Sequence, residues 1–217
     1  MRRLKILLSS VKLKMFVLVI LSVGLIFNVY KKIQDGKIVY DDSVCCVDST
    51  NIISQEEFLE MNSDIESNGD WYVANRFGYL GKYQLGRQAL EDVGYEKKWI
   101  NKLMDSHKLV FVKGDDGKVR KEYTFNKKLF PPHKQEEAIR KYLNKMENHY
   151  LKEHIEEYVG REIDGVKITK AGILSASFFG YTKVKAFLNS MGKTNKKDGN
   201  GYSIKRRLEV FENCDIN

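Results

Sequence analysis

Glu66-Ser67-Asn68-Gly69 and, nine residues on from Gly69, Gly78-Tyr79-Leu80-Gly81-Lys82-Tyr83-Gln84-Leu85-Gly86 are the stretches of this chain with chemistry in their residue types. A lone carboxyl ahead of a glycine- and ring-rich segment suits proton transfer to an oxygen of a molecule held against aromatic faces. The acid needs a rigid support, and a helix is expected to supply it. Ser54 and Glu57 have capping-box spacing, Phe58, Leu59, Met61 and Ile65 form an apolar stripe, and Gly69 ends the run. In the last turn of a helix a carboxylate feels the negative end of the macrodipole, which disfavours ionisation. An apolar wall drawn from Trp71, Tyr72, Phe77, Tyr79 and Tyr83 would push the same way by desolvation and offer stacking faces for sugar rings. A general acid acting on a glycosidic oxygen needs that raised pKa.

Glu66-Ser67-x-Gly69 followed by Gly78-x-x-Gly81-x-x-Gln84 resembles the paired signatures of the lytic transglycosylases in the lysozyme-like superfamily. Further along, Ile173-Leu174-Ser175-Ala176-Ser177-Phe178-Phe179-Gly180 with Val184-Lys185-Ala186-Phe187-Leu188 is similar to the small-residue helix of a bacterial subgroup. Asp198-Gly199-Asn200-Gly201-Tyr202-Ser203-Ile204 is similar to its closing turn and helix. The likeness covers roughly residues 54–212. It implies a mainly α, α+β lysozyme-like domain that cuts peptidoglycan glycan strands with neither metal nor cofactor. It also implies Glu66 as acid and then base, with Gln84, Tyr83, Tyr79, Ser67 and Phe178 around the sugar. The product would be 1,6-anhydro-N-acetylmuramic acid, formed with help from the substrate's own N-acetyl group, so that no second carboxylate is required. Two positions depart from the pattern. Asn68 stands where the subgroup usually has Gly, a mild change because Asn tolerates left-handed backbone. Phe178 stands where related enzymes carry a polar His or Tyr facing the cleft. Two alternatives stay open: a muramidase activating water with Asp64, Asp70 or Asp92, and a catalytically weak wall-binding module, for which Phe178 speaks.

Other motifs fail. Gly78, Gly81 and Gly86 lack dinucleotide spacing, and Gly81-Lys82 is followed by Tyr83, where a phosphate loop has Ser or Thr. His149 and His154 are five apart and do not share a helix face as zinc ligands would, and His107 and His133 are expected in loops. At 217 residues with 42% apolar content the chain suits one domain and an appendage. The net charge of +8 belongs to that appendage. The first 32 residues hold seven Lys and Arg and no acid, and without them 30 basic residues face 29 acidic ones, a net +1, so nucleic acid is a poor partner.

Residues 15–30 are an uncharged, largely apolar run of 16 between Lys14 and Lys31. Ser22-Val23-Gly24 lies inside the run and no small-x-small site follows it, so an uncleaved signal anchor is favoured over a signal peptide. The basic start would stay cytoplasmic, with the rest outside the inner membrane. The expected organisation is a tail and membrane helix over 1–32, a juxtamembrane linker over 33–53 and the glycan-cleaving domain over 54–217. Secretion, conjugation or lysis machinery is a possible setting. Cys45 or Cys46 pairing with Cys214, or reduced cysteines, are equal readings.

A second helix is expected over 84–93, with Gln84 near its N-terminus where free backbone donors and the amide could take an N-acetyl group. Residues 109–112 and 119–125 read as a hairpin able to overhang the cleft, and 135–159 as one long helix stopped by Gly160. Asp164-Gly165 marks a turn and Thr169 a cap. Ala171, Gly172, Ser175, Ala176 and Ser177 suit a central, closely packed helix, and Ser203 starts a last helix with Ile204, Leu208 and Phe211 inward.

Overall fold

A computed structural model describes residues 51–198 and 201–216; the expected membrane helix, linker residues 33–50, Cys45 and Cys46 lie outside them. The described part is mainly helical, with three two-stranded sheets. Its order is β1 (Asn51–Ile53), α1 (Gln55–Ser67), α2 (Arg87–Asp92), α3 (Lys97–Asp105), β2 (Lys108–Lys113), β3 (Val119–Thr124), α4 (Pro132–Lys145), a π turn (Met146–Tyr150) and α5 (Lys152–Tyr158). Then follow β4 (Glu162–Ile163), β5 (Val166–Lys167), α6 (Lys170–Ala176), a 3-10 turn (Ser177–Phe179), α7 (Tyr181–Asn189), α8 (Ile204–Val210) and β6 (Cys214–Ile216).

The capping box forms. Glu57 N donates to Ser54 Oγ at 3.1 Å and Ser54 N to Glu57 Oε2 at 2.7 Å, so α1 begins where its sequence says it should. It ends one residue earlier than Gly69, at Asn68, whose φ of 54° and backbone bond to Asp64 O make it the left-handed cap. Phe58 and Leu59 are buried, whereas Met61 and Ile65 pack only partly against the core.

At the centre is α6. Every residue from Ala171 to Ala176 is buried, and Thr169 caps the helix, its Oγ1 accepting from Gly172 N at 3.0 Å and donating to Phe211 O at 2.8 Å. A Cβ on Gly172 would lie 3.3 Å from Leu208, so the missing side chain lets α8 approach α6 closely. Ser203 caps α8, and Ile204, Leu208 and Phe211 are fully buried, as expected. Asp164 and Gly165 both take positive φ, 52° and 77°, in the two-residue turn of the β4–β5 hairpin.

Four expectations are corrected. The stretch 51–53, read as linker, is β1 and pairs in parallel with β6, Asn51 opposite Cys214, so the domain begins before residue 54. The single helix over 135–159 is three pieces, α4, a π turn and α5. Leu151 N donates to Met146 O, and both residues are fully buried although residues five apart on a regular helix point about 140° apart. His133, expected in a loop, lies in the first turn of α4. Helix α2 starts at Arg87 with Gly86 as its cap, which leaves Gln84 in the preceding turn. Helix α3, with Ile100 and Leu103 inward, was not anticipated.

Candidate active site

Phe58, Asn62 and Glu66 are spaced by four and share the inner face of α1, so the apolar stripe continues toward the C-terminus as a polar seam. Asn62 is fully buried. Its Oδ1 accepts from Ser175 Oγ at 2.6 Å and from Arg207 Nη1 at 3.2 Å, and its Nδ2 donates to Phe58 O. Arg207 Nη2 donates to Glu66 Oε1 in an ion pair. The seam thus ties α1 to α6 and α8 through one guanidinium. The Arg207 side chain is 3% exposed and that of Glu66 19%, so the cation is sealed in while the glutamate side chain is partly open to solvent. The Arg207 guanidinium also lies 5.6 and 5.7 Å from the ring centres of Phe178 and Phe179.

Burial raises the Glu66 carboxyl above the ordinary glutamate range. The charge and hydrogen bond of Arg207 oppose that shift without cancelling it, and the charge of Asp198 reinforces it. Tyr142, whose hydroxyl donates to Ser177 O at 2.8 Å, is pushed up chiefly by burial, with the charges of Asp92 and Glu66 adding to the shift.

A cleft of about 720 Å³ lies beside this seam. Phe77, Tyr79 and Gln84 line it from the loop between α1 and α2, as do Tyr142, Phe178 and Phe179 from α4 and the 3-10 turn. Glu66 is not itself a lining residue. It is linked to the cleft wall through Arg207, which contacts the Phe178 and Phe179 rings.

The loop's shape follows from its glycines and amides. Gln135, fully buried on α4, accepts from Lys82 N at 2.8 Å and donates to Trp71 O and Phe130 O, both at 2.9 Å. A Cβ at Gly81, whose φ is 76°, would fall 2.0 Å from Gln135 Oε1, so only glycine fits between the loop and its support. Asn75 Oδ1 accepts from Phe77 N and Tyr79 N, and Lys82 Nζ is bound to Glu60 at 2.6 Å.

The site residues expected from sequence divide into two groups. Tyr79, Tyr83, Gln84 and Phe178 line the cleft, and Glu66 lies in the adjoining seam. Ser67 does not line the cleft; its hydroxyl donates to Lys82 O at 2.7 Å and fastens the loop to α1. Gln84 is in left-handed backbone, φ 47°, and both ends of its amide serve the loop, Oε1 accepting from Asn75 Nδ2 and Nε2 donating to Gly81 O, each at 3.0 Å. Tyr83 is buried, its hydroxyl donating to Glu136 at 2.5 Å and its ring edge-on to Trp71. Tyr79 is 45% exposed and offers a ring to the cleft, lying over Gly86, where a Cβ would meet it at 2.8 Å.

Arg207, Tyr142 and His107 were not singled out for the site from sequence. Arg207 carried a signal: it occupies the inward i+3 position of α8, between Ile204 and Leu208, where a cation without a buried anion would be costly. His107 Nε2 donates to Asn75 O at 2.9 Å, and its ring stacks on Tyr123 and lines the cleft. Of Asp64, Asp70 and Asp92, only Asp92 lines the cleft. Comparison with family models, curated proteins and solved structures finds no match.

Proposed function

We propose that this chain is a membrane-anchored, lysozyme-like enzyme that cuts peptidoglycan glycan strands as a lytic transglycosylase. The observation that carries the reading is Glu66, a carboxyl at the C-terminal end of α1 with burial-raised proton affinity and a partly exposed side chain, joined through Arg207 to the wall of a ring-lined cleft. In the first step Glu66 gives its proton to the glycosidic oxygen as the bond to N-acetylmuramic acid C1 breaks. In the second, the Glu66 carboxylate takes the proton of the same sugar's 6-hydroxyl as O6 bonds to C1, which returns the acid to its starting form. Arg207 suits the interval between the two steps, because its cation stabilises the carboxylate that the first step leaves behind. Tyr79 offers a stacking face, and Gln84 holds the loop that carries it.

Incubating the full chain with purified sacculi and weighing the soluble fragments by mass spectrometry tests this. Fragments ending in the anhydro sugar are expected; fragments heavier by one water and reducible with borohydride would make the enzyme a muramidase, with Asp92 the acid to examine because it reaches the cleft. A second reading has its own observation: the cleft wall next to the acid is Phe178 and Phe179, with no polar side chain at position 178, which favours a weak or purely binding domain. Retention on sacculi without soluble fragments would select it.

A further inference from the structure

The β2–β3 ribbon has a face that its own fold leaves uncovered. The register pairs Leu109 with Tyr123, Phe111 with Lys121 and Lys113 with Val119, which puts these six side chains on one side. Leu109, Phe111 and Val119 are 43, 67 and 65% exposed. Three bulky apolar chains side by side on a two-stranded ribbon are not what water alone selects. The lysines of this face, Lys113 and Lys121, make no ion pair among the described residues, and the Lys121 ammonium rests 5.9 Å over the Phe111 ring. No carboxylate is on this face: Glu122 belongs to the opposite one, with Arg120, which Asp116 neutralises. At its root the ribbon is fixed, since Tyr123 bridges to Ala74 and stacks on His107.

We propose that this face is a second membrane contact that docks on an anionic phospholipid surface. Phe111, Leu109 and Val119 enter the boundary between headgroups and acyl chains, while Lys113 and Lys121 pair with lipid phosphates. Two features select lipid over a wall peptide. An apolar triad flanked only by cations matches a layer that is apolar inside and negative at its surface, whereas stem peptides offer methyls and carboxylates but no apolar interior. The inference also rests on reading residues 15–30 as an anchor: 20 residues separate that run from Asn51, so on that reading the tether lets the domain go no farther than about 70 Å from the lipid surface. A contact too weak to hold a free domain then suffices, because the tether supplies a high local concentration.

The test places an indole at the centre of the face, Phe111→Trp, in the full chain reconstituted into mixed phosphatidylcholine and phosphatidylglycerol vesicles with brominated acyl chains. The parent chain gives the background of Trp71 and Trp99. The new emission should be blue-shifted and quenched about twofold more than in pure phosphatidylcholine, and adding Lys113→Glu with Lys121→Glu should abolish the difference. A chain that sediments with vesicles while the indole stays in water overturns the inference and leaves the anchor standing. If the chain does not sediment, the anchor reading falls. The same reporter added to preformed anionic vesicles then decides, a blue shift keeping the ribbon contact and none removing it. Quenching unchanged by the charge reversals, or shielding by sacculi in place of vesicles, also overturns it. Release of glycan fragments is read separately and stands or falls on its own.

Discussion

On the proposed mechanism Glu66 gives up a proton and then takes one back, and two opposing influences act on its carboxyl. Burial favours the acid and Arg207 favours the carboxylate. Glu66→Gln keeps the shape but cannot supply the proton, so release of fragments from sacculi should fall about 10²–10⁴-fold with the fold retained by circular dichroism. Because the pKa of Glu66 is raised on folding, its contribution to stability is fully present below the ordinary glutamate value, about 4.3, and is lost as pH rises through the folded value. Melts of wild type and Glu66→Gln should therefore diverge in the variant's favour with rising pH. On the proposed mechanism the acid form is depleted through the same window, so wild-type activity should fall on the alkaline side. Arg207→Met removes the influence that lowers the pKa, and that alkaline limb should move to higher pH, read as kcat/KM on solubilised glycan; an unmoved limb would mean that Arg207 does not act on Glu66. The place of Glu66 in the last turn of α1 was legible because the cap and stripe that set the helix are local in sequence. Arg207 was not, since 141 residues separate it from the carboxyl it pairs with, and only the fold brings them together.

At the scale of elements, turn and cap chemistry was the legible part. The Ser54–Glu57 box, the Thr169 and Ser203 caps and the Asp164-Gly165 turn are where their residue types put them, because each rests on neighbours a few positions away. The long helix over 135–159 misled because its apolar spacing is helical on either side of the π turn, and only the joint burial of Met146 and Leu151 requires the break. The motif glycines also differ in a way spacing hides. Gly78 has φ 81° with nothing within 4 Å of a built Cβ, whereas Gly81 has φ 76° and meets the buried Gln135 amide. Gly78→Ala should cost only the backbone term, about 1–2 kcal/mol. Gly81→Ala adds the displacement of Gln135, which holds Trp71, Lys82 and Phe130 in place, and about 3 kcal/mol is expected in denaturant melts, with activity lost through the loop. Equal losses at the two positions would show that Gln135 yields freely.

For the molecule as a whole, the described residues hold 29 Lys and Arg against 25 Asp and Glu, a net +4, while the basic start and the apolar run of residues 15–30 lie outside the described residues and are read from sequence alone. Among the described residues no helix is long and apolar enough to cross a membrane, so any membrane helix must come from elsewhere in the chain. Substrate and compartment constrain each other here, because an enzyme for wall glycan works only on the outer side of the inner membrane. Arg2, Arg3, Lys5, Lys12 and Lys14 precede the apolar run with no acid among them, a pattern that on the anchor reading would hold the start inside and send the remainder out. A reporter active only outside the cytoplasm, fused after Asn217, should give signal, and the chain should stay with membranes through a carbonate wash. Neutralising the five cations ahead of residue 15 should weaken that orientation and lower the signal severalfold, since the bias is set by Lys and Arg close to the membrane segment. A soluble form beginning beyond residue 30 would replace the anchor with a cleaved leader and leave Glu66 in the same compartment. A reporter active only when fused inside would put the acid on the wrong side of the membrane from its substrate and end the glycan-cleaving proposal.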